Sequence, residues 1–250
     1  MLDRRALESH TEEFNLYQVE KDYLQHIVLR RLYQSFSNEI IFKGGTALQK
    51  AYNMGRFSED LDFTAGAPAG MDAIAKKIET VFNGLNDFCN TTHTATKDQR
   101  SLKYRLKMEG PLHTSSPQSM QSIIIDISLR EKALMQPAVV PISPTYLDIG
   151  NYVATVMDIR EMLAEKVRTI MTRRSSRDLY DIYFILSKRV RLDIGIANKK
   201  LSYYNMQYSK KEFLQRAEAL EKVWNRDIGR LMKTVPDFRA VFEYVSAAID

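Results

Sequence analysis

Two adjacent glycines, Gly44 and Gly45, separate a short apolar run, Ile40 to Phe42, from a helical pattern that opens at Thr46. This junction constrains the chain more than any other stretch. Glycines between a strand and a helix let the backbone approach a ligand closely. The helix that follows aims free N–H groups, and the positive end of its dipole, at the same point, where phosphate is the usual occupant. After Gly55 a second strand is expected, carrying Asp60 and Asp62. Residues two apart on a strand leave the same face, so these carboxylates stand side by side and repel. A divalent cation that takes oxygen ligands is the common way to hold both ionised. Singly, the two features are also an ordinary Gly-Gly turn and a solvated acidic strand edge. In this order and this close together, they favour a site of the kind that nucleotidyl transfer requires.

The flanking pattern is mixed α/β. Residues 19 to 36 read as an amphipathic helix with Tyr23, Ile27, Leu32 and Phe36 near one stripe, widened by Val28 and Leu29. His26 within it is taken as structural. Ala65 to Gly70 reads as a loop and Met71 to Phe88 as a helix. Residues 91 to 109 alternate around Lys97–Ser101, a hairpin signature, with Lys103, Arg105 and Lys107 on the polar face. That face is read as solvated rather than as a substrate contact. A Ser-, Thr- and Pro-rich loop from Pro111 to Gln121 precedes an apolar strand, Ser122 to Ser128. Asp126 interrupts that strand, and a carboxylate there is costly unless it is paired or bound to a cation. Ala138 to Thr145 is extended by its prolines and is expected to link two parts of the chain, with a further strand at Tyr152 to Val156. From Asp158 onward the pattern is helical. Two helices run to Ser187, the second from Arg177 with Ser175 or Ser176 as its cap. Segments 194–204, 209–224, 228–232 and 238–249 follow.

Charge divides the 250 residues unevenly. Residues 1–156 hold 17 Lys and Arg against 18 Asp and Glu, whereas residues 157–250 hold 19 against 13. A first unit over 1–156, which carries the carboxylates, and a helical C-terminal domain over 157–250 are the expected units. The basic second part suits contact with a polyanion, either a nucleoside triphosphate or RNA. Tyr203, Tyr204 and Tyr208 beside Lys199, Lys200, Lys210 and Lys211 would suit base stacking, but packing tyrosines and solvated lysines are the preferred reading. The single cysteine, Cys89, excludes an intramolecular disulfide and a cysteine-rich zinc site. No apolar run is long enough for a membrane span. The charged N-terminus lacks a signal-peptide core, so the cytoplasm is the expected compartment.

Two motifs carry a family resemblance. Lys43-Gly-Gly-Thr-Ala-Leu48 followed by Arg56-Phe-Ser-Glu-Asp-Leu-Asp62 resembles the nucleotidyltransferase toxins of the AbiEii/AbiGii family, in the DNA polymerase β-like superfamily. Glu165-Lys166, Arg173 and Arg177-Asp-Leu-Tyr-Asp-Ile-Tyr183 resemble that family's second hallmark, although by charge pattern alone they read as a salt-bridged helical hairpin. The superfamily usually has Gly-Ser where this chain has Gly45-Thr46.

The resemblance implies an α/β (α+β) fold, a polymerase β-like core with a mixed sheet and a helical C-terminal region. It further implies transfer of a nucleoside monophosphate from an NTP to a hydroxyl, with Mg²⁺ (or Mn²⁺) on Asp60, Asp62 and Asp126. Asp126 also serves as base toward the attacking hydroxyl. Lys43, Gly44, Gly45, Thr46, Arg56 and Ser58 become candidates for nucleotide binding. Lys166 becomes the phosphate contact, with Asp181, and less directly Asp178, as supporting acids. Arg173, Arg174 and Arg177 become candidates for triphosphate or RNA contact, and Arg177 is equally a clamp for Asp181. The implied acceptor is a tRNA 3′ end and the implied partner an antitoxin. A small-molecule nucleotidyltransferase, an AMPylating enzyme and a non-catalytic nucleotide or RNA binder are the alternatives.

Overall fold

The computed structural model describes residues 1–66 and 70–249. Of the expected Ala65–Gly70 loop, residues 67 to 69 lie outside the described residues. The described chain falls into two compact units, Met1–Ala133 with Pro137–Val156, and Leu134–Gln136 with Met157–Asp250.

The first unit is built on a seven-stranded mixed sheet. Its strands are β1 (Ile40–Lys43), β2 (Leu61–Ala65), β3 (Thr91–Lys97), β4 (Ser101–Met108), β5 (Gln121–Ser128), β6 (Ala138–Ile142) and β7 (Tyr152–Val156). They lie in the order β3-β4-β5-β2-β1-β7-β6. Pairing is parallel between β2 and β5 and between β1 and β7, and antiparallel elsewhere. The mixed α/β class read from the sequence is the class observed. The hairpin closes where Asp98 accepts hydrogen bonds from the N–H groups of Arg100 and Ser101, so the side chain makes the turn. Along β4 and β5 alternate residues are buried: Leu102, Tyr104, Leu106 and Met108, then Ile123, Ile125 and Ile127. Phe82 of helix α4 (Met71–Leu85) meets Tyr104 edge-on at 5.2 Å on that side.

Two expectations change here. Ala138–Ile142 is an edge strand of this sheet rather than a linker. Pro141 tolerates that place because an edge strand has one side without a ladder partner. Helix α2 (Leu16–Ser35), which follows the short α1 (Arg4–Glu8), is buried on nearly every side from Val19 to Leu29 and has no single apolar stripe. Most of its buried polar groups have partners, although Gln25 Oε1 has none. Glu20 accepts from the Leu112 N–H at 2.6 Å and from Gln121 Nε2 at 3.1 Å. Asp22 is met at 2.8 Å by Lys50 Nζ, at 2.8 Å by Gln49 Nε2 and at 2.9 Å by the Tyr146 hydroxyl.

The second unit is helical: α5 (Ile159–Thr172), α6 (Ser176–Ser187), α7 (Ile194–Ser202), α8 (Lys210–Glu218), α9 (Glu221–Ile228) and α10 (Phe238–Ala248). Asp158 caps α5 through the Arg160 N–H, and Ser175 is the cap residue of α6. The helix expected over 209–224 divides into α8 and α9 at Ala219–Leu220, and 228–232 is turn after Ile228. Glu161 accepts from the Leu134 and Met135 N–H groups, which draws that tripeptide into this unit. Lys200, read as solvated, is fully buried, with Glu161 at 2.7 Å and Glu165 at 3.0 Å. Trp224 is buried and donates its indole N–H to the Pro236 carbonyl.

His26 is held neutral. Burial pushes its pKa down to about 3, helped by the Lys50 charge and opposed by Asp22. Asp22 lies 3.6 Å from the ring but is already engaged by Lys50, so burial prevails. The unfolded chain binds this proton near pH 6.5 and the folded chain does not. The contribution is therefore complete above 6.5 and is lost as pH falls toward 3. Urea unfolding at pH 7 and pH 5 should show wild type losing roughly 1–2 kcal/mol that His26→Gln does not lose, at up to about 1.4 kcal/mol per pH unit. Equal losses in the two proteins would remove His26 as the cause.

Candidate active site

Asp60 and Asp62 lie at the start of β2, the middle strand of the sheet, half-exposed while Leu61 and Phe63 between and beyond them are buried. Asp60 falls just outside the ladder, which begins at Leu61. Side chains hold the backbone ahead of it instead. Gln25 Nε2 donates to the carbonyls of Ser58 (3.0 Å) and Glu59 (2.9 Å), and the Ser58 N–H donates to Gln49 Oε1 at 3.0 Å. Arg56 Nη1 donates to the Phe57 carbonyl at 2.9 Å, and Thr46 Oγ1 to the Asp60 carbonyl at 2.5 Å.

The junction of β1 with α3 (Gly44–Tyr52) packs directly on this segment. Gly44 has φ +78°, and a Cβ there would sit 2.6 Å from Asp62 Oδ2. At Gly45 a Cβ would sit 2.5 Å from Arg56 Nη2 and 2.8 Å from Ser58 Oγ. Both positions therefore require glycine, one for conformation as well as space. Lys43 pairs in register with Asp62 and gives α3 no side-chain cap, leaving the helix start to its N–H groups and dipole. Two residues have duties other than those expected. Thr46 is fully buried, and its hydroxyl bonds the Asp60 carbonyl. Arg56 is 2% exposed and lies beneath Gly45, where its guanidinium holds the Phe57 carbonyl.

Asp126 stands beside Asp62. The parallel β2/β5 register makes them partners, so their side chains share a face. On its other side Asp126 is in register with Lys103 of β4, whose ammonium is 3.5 Å from Asp126 Oδ2. Among the described residues, no three His, Cys, Asp or Glu side chains are placed to hold a metal ion by themselves. The adjacent carboxylates fit a hard cation of the Mg²⁺ kind, which takes one or two protein carboxylates and completes its shell with water and substrate phosphate. Buried Lys21 of α2 feels the same charges. Burial lowers its pKa, and Glu59 and Asp60 pull it back up.

The second motif forms its own cluster in the helical unit. Lys166 Nζ lies 2.7 Å from Asp178 Oδ1 and 2.7 Å from Asp181 Oδ2, and Arg173 is 3.3 Å from Asp178. Burial alone would raise the Asp178 carboxyl, but Lys166, by charge and hydrogen bond, holds it well below the usual carboxylate range. Arg174 and Arg177 are exposed. Gln25, Gln49, Lys21 and Lys103 were not singled out for the site in sequence. Only Lys103 left a signal, its place on an alternating strand.

Residues 27–244 match the family described as "Nucleotidyl transferase AbiEii toxin, Type IV TA system". Among solved structures the fold resembles MenT4, a nucleotidyltransferase toxin from Mycobacterium tuberculosis H37Rv, with a TM-score of 0.62 at 21% identity over 99% of this chain and 88% of that one. It also resembles JHP933 from Helicobacter pylori, with a TM-score of 0.56 at 16% identity over 99% and 91%. At these identities the likeness speaks for the fold. No curated protein matches the chain by sequence. The family match spans most of the sequence and includes both motifs, and the chain belongs to the AbiEii nucleotidyltransferase toxins of type IV toxin–antitoxin systems.

Proposed function

We propose that this protein transfers a nucleoside monophosphate from an NTP to the 3′-terminal hydroxyl of tRNA, and that an antitoxin encoded with it relieves the resulting growth arrest. The observation that carries the reading is the in-register pairing of Asp62 with Asp126 beside the glycine junction. Nucleotidyl transfer needs adjacent carboxylates next to a backbone that phosphate can approach.

In this reading the acceptor oxygen bonds to the α-phosphorus, the bond from that phosphorus to the oxygen bridging the β-phosphate breaks, and pyrophosphate leaves. The proton of the acceptor hydroxyl passes to Asp126 or, through it, to water. Mg²⁺ or Mn²⁺ held by Asp60 and Asp62, with water and substrate phosphate completing its shell, would supply stabilisation of charge on the α-phosphate and on the leaving group. Gly44 and Gly45 admit the triphosphate to the start of α3, with Lys43 and Ser58 beside it. In the helical unit the family resemblance assigns Lys166, held by Asp178 and Asp181, to nucleotide phosphate, with Arg173 and Arg177 as further cations of that unit. The ion cluster around Lys166 supports it as a positioned cation. Thr46 and Arg56 act by holding the Asp60 segment.

Purified wild type with Mg²⁺, total tRNA and each labelled NTP in turn should label RNA. Asp60→Ala and Asp62→Ala should each lose at least about a hundredfold of that transfer, with melting temperatures close to wild type. Full transfer by either variant would remove the metal assignment. Label on a small acceptor or a protein hydroxyl would overturn the tRNA assignment alone, and NTP binding without turnover would favour a binder.

Gly44→Ala should lower both the melting temperature and transfer. A left-handed non-glycine residue costs roughly 1–2 kcal/mol, and the new Cβ would displace the Asp62 carboxylate. Gly55→Ala meets nothing within 4 Å and should match wild type. Equal behaviour of the two variants would refute the close-approach argument.

A further inference from the structure

The open face of the sheet continues beyond the carboxylates. Asp62 and Asp126 lie in one row with Lys103 of β4 and then Thr96 of β3. The next row along the strands runs Ile124, Arg105, Thr94, and the next Ser122, Lys107, Thr92. The residues of β4 and β3 on this face are all exposed, whereas their alternates on β4 are buried. Lys103, Arg105 and Lys107 thus form a line of three cations roughly 13 Å long, with successive members about 7 Å apart and one strand spacing of about 5 Å from β5. Such a step is comparable with the separation of successive phosphates along a stretched single strand.

Two of the three cations are not neutralised by the protein among the described residues. Lys103 meets Asp126 at its inner end. Arg105 has only the Ser122 hydroxyl at 3.5 Å, and among the described residues no carboxylate pairs with Arg105 or Lys107. Nearby cations differ: Lys97 is paired with Asp72, and Lys77 with Glu39. Threonine hydroxyls flank the line on β3, and among the described residues of β3, β4 and β5 no aromatic stands in these rows. A surface of cations and hydroxyls without rings recognises phosphate and leaves the bases unread.

Resting on the nucleotidyl-transfer reading above, we propose that β4 is the track for the acceptor RNA. The backbone phosphates of its single-stranded 3′ end lie along Arg105 and Lys107, and its terminal hydroxyl reaches the carboxylates past Lys103. Charge complementarity selects a polyanion for this face, and the line's inner end at Asp126 gives the strand its direction. Recognition along it is independent of sequence, so any choice of acceptor is made elsewhere.

The test uses the full chain with a labelled single-stranded RNA bearing a free 3′ hydroxyl, titrated over a series of salt concentrations. The double variant Arg105→Gln/Lys107→Gln should bind this RNA about tenfold more weakly at low salt. The slope of log K against log salt should fall by about 1.4, at roughly 0.7 per phosphate contact on single strands. Binding of Mg²⁺-NTP should be unchanged. A control with exposed Lys211 and Lys222 changed to Gln removes the same formal charge and should keep wild-type affinity and slope. Wild-type behaviour of the β4 variant, or an equal loss in the control, would overturn the track while leaving transfer to RNA intact. If wild type itself binds and labels no RNA, the acceptor assignment falls and the track falls with it.

Discussion

The segment from Phe57 to Asp60 carries a carboxylate to the middle of the sheet without a ladder of its own. A strand interior would fix its backbone through neighbouring strands, but here four carbonyls and one N–H are held by side chains from Gln25, Thr46, Gln49 and Arg56. Like-charged carboxylates push apart, and a segment left to solvent would relax away from the strain. Tethering it by buried amides and a buried guanidinium sets the position of Asp60 before any cation arrives. The β2/β5 register does the same for Asp62 and Asp126. Preorganised carboxylates of this kind need little rearrangement when charge develops.

This arrangement explains why α2 is buried with so many polar residues. Its Gln25 reaches the carboxylate segment, and its Asp22 joins Lys50 and Gln49 of α3, the helix that opens at the glycine junction. One helix thus ties together both halves of the first motif. Buried ion pairs of this type add little net stability, because desolvation offsets attraction, but breaking one partner leaves a costly charge. The helical unit repeats the device with Lys166 between Asp178 and Asp181 and with Lys200 between Glu161 and Glu165. Two cations there each face two acids, which pins α5 against α6 and α7.

Much of the first unit was legible in the chain. Period-two alternation marked β4 and β5, and the glycine pair marked the β1–α3 junction, because both are local signals. The proximity of Asp126 to Asp62 was reachable only through family likeness, since a register between residues 64 apart leaves no trace in spacing. Gln25 was silent for the same reason, with its partners 33 and 34 residues away. α2 misled because helical periodicity records apolar faces, and this helix also buries polar side chains, among them Glu20 and Asp22 with their donors. β6 misled because prolines signal extension without saying whether a neighbour is present.

The two margins of the sheet differ in what they permit. β6 closes one side with Pro141, which has no N–H to offer an incoming backbone. β3, at the other side, is seven residues of mostly threonine with a regular ladder to β4 and no proline. An extended peptide that enlarged this sheet by one strand would therefore dock along β3, two strand spacings from the cation line on β4. Such an addition would leave the glycine junction untouched, since β3, β4, β5 and β2 all lie between that edge and β1.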